Sequence, residues 1–208
     1  MLIRFTEINE ILISNNINII GAFHVGAHEC EELSFYNQLN IKNEDVVWIE
    51  AIPSKVIEAQ NRGIPNVYNA VITDKDDEDI TFNVSNNGQS SSVLEFGTHS
   101  QEYTQVIYVD KIQQNSITID TFFERNNIDP SKYNFWNFII QGAELMALKG
   151  ATKSIKHAKV IFIKVLKLIL YKNCSLITEI DDFLLQYNFK RVLTNMTHHG
   201  WGDALYIV

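Results

Sequence analysis

The chain has 208 residues, 46% of them hydrophobic and 20% charged, with a formal net charge of -8. This size and balance suit one globular domain, residues 1–208, and exclude a disordered chain, a collagen and a membrane bundle. The negative surface repels nucleic acid and anionic membranes, and two cysteines, Cys30 and Cys174, are too few for a disulfide framework or a zinc site. No nucleic-acid, membrane or metal partner is expected.

Phe5, Ile8, Ile11 and Leu12 recur at helical spacing and predict a helix over Arg4 to Ser14. The stretch up to Phe23 carries Arg4, Glu7 and Glu10 without a continuous apolar run, which reads against a signal peptide. Ile17 to Val25 is an expected buried strand, Glu31 to Leu39 a helix, and Asp45 to Glu50 a second strand ending on a carboxylate. Pro53 starts a helix that reaches about Gln60, and Asn66 to Ile72 is a third strand. Strands and helices in this order, joined by short loops, predict a parallel sheet with helices on both faces.

The middle is less regular. Ile80 to Val84, Val106 to Val109 and Ser116 to Ile119 read as short strands around the polar loop Asn86 to Ser92. Strand Phe135 to Ile140, helix Glu144 to Ser154, strand Lys159 to Val165 and helix Ser175 to Tyr187 resume the alternation. The apolar run Val160 to Leu170 is interrupted by Lys164 and Lys167 and falls short of the ~20 residues a membrane span needs, so the chain reads as cytoplasmic. Lys190 to Thr194 and Ala204 to Val208 have no helix between them and predict an antiparallel hairpin on the sheet edge.

The most informative segment is the first strand-to-helix turn, Phe23-His24-Val25-Gly26-Ala27-His28-Glu29-Cys30-Glu31. In an open α/β sheet, ligands lie at the carboxyl ends of the strands, and Gly26 would let the backbone approach one closely. A pyrophosphate cofactor needs a G-x-G-x-x-G turn, which is absent, and Glu29, Glu31 and Glu32 repel phosphate while tolerating a cation. A plain tight turn is the alternative. Glu50 stands roughly 20 residues beyond Gly26, the separation at which a strand-end acid accepts hydrogen bonds from ribose hydroxyls; otherwise it is a solvated strand end. Gln141-Gly142-Ala143-Glu144 is either a further ligand-facing turn or a plain one. The loop Thr197-His198-His199-Gly200-Trp201-Gly202-Asp203 gathers imidazoles, an indole and an acid, a plausible acceptor site.

Six ordered segments resemble the FkbM-type family of S-adenosylmethionine-dependent methyltransferases. They are Phe23 to His28, Trp48 to Pro53, Asn69 to Val71, the serines Ser90 to Ser92, Gln141 to Leu145 with Leu148 to Ala151, and Gly200 to Tyr206. The resemblance runs from about Ile17 to the end, leaving residues 1–16 as an N-terminal helix. It implies an α/β, Rossmann-like class I methyltransferase fold: a mostly parallel seven-stranded sheet, helices on both faces, and a C-terminal antiparallel hairpin. The implied activity is O-methylation of a small polar acceptor, a sugar or glycan hydroxyl, with S-adenosyl-L-methionine as cofactor. The residues it places around the donor are His24, Gly26, His28, Glu31, Glu50 and Ala51, continuing through Ile52, Asn69, Ala70, Ser91 and Gln141. Glu144, Tyr171, Trp201 and Asp203 are expected near the acceptor, with His198 or His199 as its base. A homo-oligomer is compatible with all of this.

Departures from the family pattern cluster at the same turns. An acid is usual where His24 stands and a glycine where Cys30 stands. An aspartate is usual at Ile139, and Glu-Val-Asn where Lys164-Val165-Leu166 stands. They raise a competing expectation: a catalytically impaired protein of the same fold that acts through a partner, with Ile139, Lys164, Leu166, Leu168 and Leu170 as an exposed apolar surface. Lys164 is expected near Ile139, pointing away from the donor or pairing with a carboxylate such as Glu144.

Overall fold

The computed structural model describes residues 2–208. Its first half contains α1 (Phe5–Ser14), β1 (Ala22–Val25), α2 (Leu33–Gln38), β2 (Val46–Glu50), α3 (Pro53–Asn61), β3 (Val67–Asn69), β4 (Val71–Ile72) and β5 (Asp79–Ser85). The second half contains α4 (His99–Glu102), β6 (Tyr108–Ile117), α5 (Ile119–Arg125), β7 (Phe135–Phe138), α6 (Glu144–Lys149), β8 (Val160–Leu166), α7 (Ile177–Leu185), β9 (Lys190–Met196) and β10 (Trp201–Ile207). Seven strands form the main sheet in the order β3-β2-β1-β7-β8-β10-β9. β1, β2, β3, β7 and β8 pair in parallel, and β10 runs antiparallel to both neighbours. The expected architecture is present.

Strand alternation splits the core into two layers. Phe23, Val25, Val47 and Ile49 face a cluster closed by Phe122 and Phe123 of α5, Leu148 of α6 and Ile180 of α7. Ala22, Val46 and Trp48 face the opposite layer, with Ile8 of α1, Tyr36 of α2 and Val56 of α3. Burying a large apolar side chain contributes ~1.5–3 kcal/mol, so these layers rather than intrinsic propensity hold the short helices in place.

Several boundaries differ from expectation for local reasons. The chain expected as one strand over Asn66 to Ile72 breaks at Ala70: β3 pairs with β2, while β4 leaves to pair with β6. Val106 to Val109 and Ser116 to Ile119 are not separate strands. One strand, β6, crosses the polar stretch between them and pairs antiparallel with β5, making a three-stranded sheet β4-β6-β5. α5 and the one-turn α4 were not expected. α5 starts where the Thr118 hydroxyl accepts the Thr121 amide at 3.1 Å. The helix expected to reach Ser154 stops at Lys149, because Gly150 is wedged against the Thr73 carbonyl.

Candidate functional site

The carboxyl ends of β1, β2, β7 and β8 open into a cavity of about 460 Å³. Its first end is built around Glu50. The Glu50 carboxylate accepts the His28 amide at 2.7 Å and the Ile52 amide at 2.8 Å, one on each oxygen. Each oxygen keeps a second lone pair. The Asn69 side-chain amide, donating to the Glu50 and Ala51 carbonyls at 2.9 and 3.0 Å, pins the backbone beneath. Burial raises the Glu50 pKa, against the opposing pull of its amide donors.

Gly26 carries the β1 backbone past this carboxylate at φ +91°, where a side chain would collide with the Ile139 carbonyl. His28 follows at φ +44° and bonds Glu31 at 2.9 Å, a contact that raises the imidazole pKa. The Asn86–Ser92 loop covers this end: Gly88 lies against His28, and the Ser91 hydroxyl donates to the Gly88 carbonyl at 2.6 Å. Ser92 donates to the Gln141 carbonyl at 3.0 Å and ties the loop to the turn after β7. In that turn Gln141 and Gly142 both take left-handed φ, held by the Glu144 carboxylate, which accepts the Ile140 and Gly142 amides at 3.0 and 2.8 Å.

The second end is aromatic. Tyr171, Tyr103, Trp201 and His99 line it together with Lys164 and Asp203. The Trp201 indole donates to the Tyr103 hydroxyl at 2.9 Å, and His99 stacks on Phe96 with centroids 4.4 Å apart. His99 is 6% exposed, and its Nδ1 has no hydrogen-bond partner. Burial, then nearby Lys164, lowers its pKa.

The parallel sheet thus gathers a strand-end acid, a covered glycine turn and an aromatic chamber around one cavity at its carboxyl ends, where ligands of open α/β sheets bind. The family model described as the methyltransferase FkbM domain matches residues 24–191. The chain belongs to this FkbM methyltransferase family. No curated protein matches it. Among solved structures it is similar to an S-adenosylmethionine-dependent methyltransferase from Aquifex aeolicus, at 12% identity and TM-score 0.48, over 96% of this chain and 89% of that one. It is also similar to magnesium protoporphyrin IX methyltransferase from Synechocystis PCC 6803 with bound S-adenosylmethionine, at 11% identity and TM-score 0.43, over 98% and 77%.

The cofactor of this FkbM-family methyltransferase is S-adenosylmethionine, and the Glu50 end fits its nucleoside half. The free lone pairs of Glu50 suit paired ribose hydroxyls, and the absent Gly26 side chain leaves the backbone open to close approach. Gly26, His28, Glu31, Glu50, Ala51, Ala70, Ser91 and Gln141 all line the cavity, as do Tyr171, Trp201 and Asp203.

Other expected residues of the FkbM domain lie elsewhere. His24 points to the opposite face of β1, where Trp48 lies 5.0 Å from its ring and Tyr36 bonds its Nδ1 at 2.9 Å. Burial there pushes its pKa down to about 3. Ile52 and Asn69 support the Glu50 turn instead of lining the cavity, and Glu144 is consumed by its own turn. His198 and His199 are also outside. His199 bonds Glu102 at 2.9 Å and packs against Tyr103, and it does not line the cavity. The imidazole that does line the aromatic end, His99, was missed because it sits on a one-turn helix with no motif around it. Tyr103 was missed for the same reason.

Ile139 and Lys164 both line the cavity, and the register places Phe138 beside Ile163, so the two follow one another on adjacent strands. Lys164 makes no ion pair with Glu144 and reaches instead toward the aromatic end of the cavity. Its Nζ lies 4.3 Å from the centre of the Trp201 ring. Leu166 and Leu170 are 1% and 2% exposed, packed with Tyr171 and Cys174, so of the leucines expected on an exposed apolar surface only Leu168 is exposed, beside the unexpected Ile169. No helix among the described residues is long and apolar enough to cross a membrane.

Proposed function

We propose that this methyltransferase acts in the cytoplasm, moving the methyl group of S-adenosylmethionine onto a hydroxyl oxygen of a small polar acceptor, a sugar or glycan hydroxyl. One observation carries the reading: a single cavity joins the Glu50 cradle to a chamber walled by Tyr103, Tyr171 and Trp201. Aromatic faces with hydroxyl and indole edges suit a sugar ring, which is apolar on its faces and polar at its rim.

When bound, the donor supplies a methyl group already activated on a sulfonium. Glu50 and the Gly26 turn fix its position, and the Asn86–Ser92 loop excludes water. The proton acceptor is His99. Its ring borders the cavity in place of His198 and His199, the candidates the sequence offered for this role, and its buried Nδ1 has no hydrogen-bond partner within the protein. A positioned base contributes ~10²–10⁴-fold to such a transfer.

The test is thermal denaturation with the donor and with its demethylated product, followed by labelled-methyl transfer to a panel of sugars. Both ligands are expected to raise the melting temperature, by ~2.7 kcal/mol of stabilisation at a hundredfold excess over Kd. Stabilisation by neither overturns the reading.

Ile139 and Lys164 favour a second reading, a silent family member acting through a partner, because they put an apolar group and a cation where the family carries acids. Reverting Ile139→Asp, Lys164→Glu and Leu166→Asn together separates the two. Donor binding that appears only on reversion supports the silent protein, and tight binding by the unaltered chain supports the enzyme.

A further inference from the structure

We propose that Lys164 forms an anion subsite at the acceptor end of the cavity, so that the acceptor carries a carboxylate or phosphate beside its sugar-like ring. The proposal rests on the methyl-transfer reading above and names the chemical class of its acceptor.

Lys164 stands near the end of β8, partly buried and lining the cavity. Asp203 lies directly opposite it in the antiparallel register with β10, the position from which an acid ordinarily pairs with a lysine across strands. It does not. Asp203 accepts the Leu2 amide, while the lysine ammonium leans along the strand to the Trp201 ring. Glu144, the other acid whose charge is felt there, accepts the Ile140 and Gly142 amides and makes no hydrogen bond or ion pair with the lysine. His99 is the remaining titratable group whose interaction with Lys164 is felt at this end, and it is neutral. The ammonium therefore keeps its three donors for the cavity.

A cation held half out of water without an anion is unfavourable, and an anionic ligand relieves it. The flanking rings define what the anion is attached to. Trp201, Tyr103 and Tyr171 line the same cavity, with the lysine ammonium over the Trp201 ring, so a six-membered polyol ring with an acid group at its edge fits both features at once. A phosphate on a sugar and the carboxylate of a sugar acid present the same chemistry to Lys164.

The experiment uses the full chain saturated with S-adenosylhomocysteine and titrates glucuronate, glucose 6-phosphate, methyl glucoside and inorganic phosphate by calorimetry. Glucuronate or glucose 6-phosphate is expected to bind at least tenfold more tightly than methyl glucoside and than phosphate alone. Lys164→Met abolishes that preference, whereas Lys164→Arg, which keeps the charge and reports on folding, retains most of it. Equal binding of charged and neutral sugars by the unaltered chain overturns the proposal, as does a preference that survives in Lys164→Met. Phosphate binding as tightly as glucose 6-phosphate also overturns it, since no sugar is then recognised. A separate arm asks whether the anion belongs to the donor. If Lys164→Met weakens S-adenosylhomocysteine but not 5′-methylthioadenosine, which lacks the amino-acid carboxylate, Lys164 serves the donor and the acceptor assignment is wrong. Failure of the unaltered chain to bind S-adenosylhomocysteine at all brings down the methyl-transfer reading itself, an outcome distinct from loss of sugar preference alone.

Discussion

Lys164 places a cation in the cavity that receives a sulfonium, and like charges in a partly dry site repel. Donor affinity is therefore expected to rise about tenfold, ~1.4 kcal/mol, in Lys164→Glu, read by calorimetry with the donor alone. Unchanged or weaker binding would show that the methyl-bearing end lies away from this residue. Glu144 makes a second prediction. Burial raises its pKa from 4.5 to about 7, although two amides donate to it. The fold thus favours the protonated acid: its contribution is full below pH 4.5 and is lost as pH rises through about 7. His24, pushed down to about 3, works in the other direction and withdraws stability as pH falls below 6.5. Urea titrations of Glu144→Gln beside the unaltered chain isolate the first effect. The variant should be ~1–3 kcal/mol less stable, having lost one amide acceptor, and its stability should fall less between pH 4.5 and 7. A parallel pH dependence in both proteins would contradict the assignment. At this scale the sequence was legible where a residue's role follows from its place on a strand end, as for Glu50 and Gly26. It misled where the side-chain direction decides, because His24 and Val25 are neighbours that face opposite layers.

Between β1 and α2 the backbone turns through positive φ at Gly26, His28 and Cys30. A side chain at the first of these would collide with the Ile139 carbonyl just past β7. Gly26→Ala must move the β7 end and should cost several kcal/mol, about the range of an overpacked core site with added backbone strain. A lowered melting temperature with lost donor binding is the expected result, and native behaviour on both counts would mean that the turn relaxes freely. Helices with one buried apolar face, α1 and α3, and strands apolar on both faces, β2 and β8, were readable in advance. β6 was not, because Asp110, Lys111, Gln113, Gln114 and Asn115 look like loop. They form a strand because β5 supplies the pairing, and solvent wets the exposed side chains. α5 was obscured by its own apolar pair, Phe122 and Phe123, which read as neither period.

Across the whole molecule, alternation of strand and helix predicted the parallel sheet, and two strands in succession predicted the antiparallel end. The three-stranded sheet could not be anticipated, since β4 is only two residues long and leaves the main sheet one residue after β3. That departure carries Val71 and Ile72 to the cavity wall and makes room for the covering loop. Strand order also has a temporal side. β10 lies between β8 and β9, both of which precede it in the chain. Until β10 is delivered, β8 is the edge of a five-stranded parallel sheet and β9 has no partner, with Phe162 and Ile161 lacking the neighbours Leu205 and Tyr206 that will flank them. Nascent chains arrested before Trp201 should remain susceptible to protease and to chaperone capture, and resistance should arrive in one step once Ile207 has cleared the exit tunnel. Gradual protection as earlier strands emerge would instead mean that β9 first docks on β8 and is later displaced. The strand that carries Trp201 and Asp203 would then be a wedge as well as a wall, and the aromatic chamber would be the last part of the protein to exist.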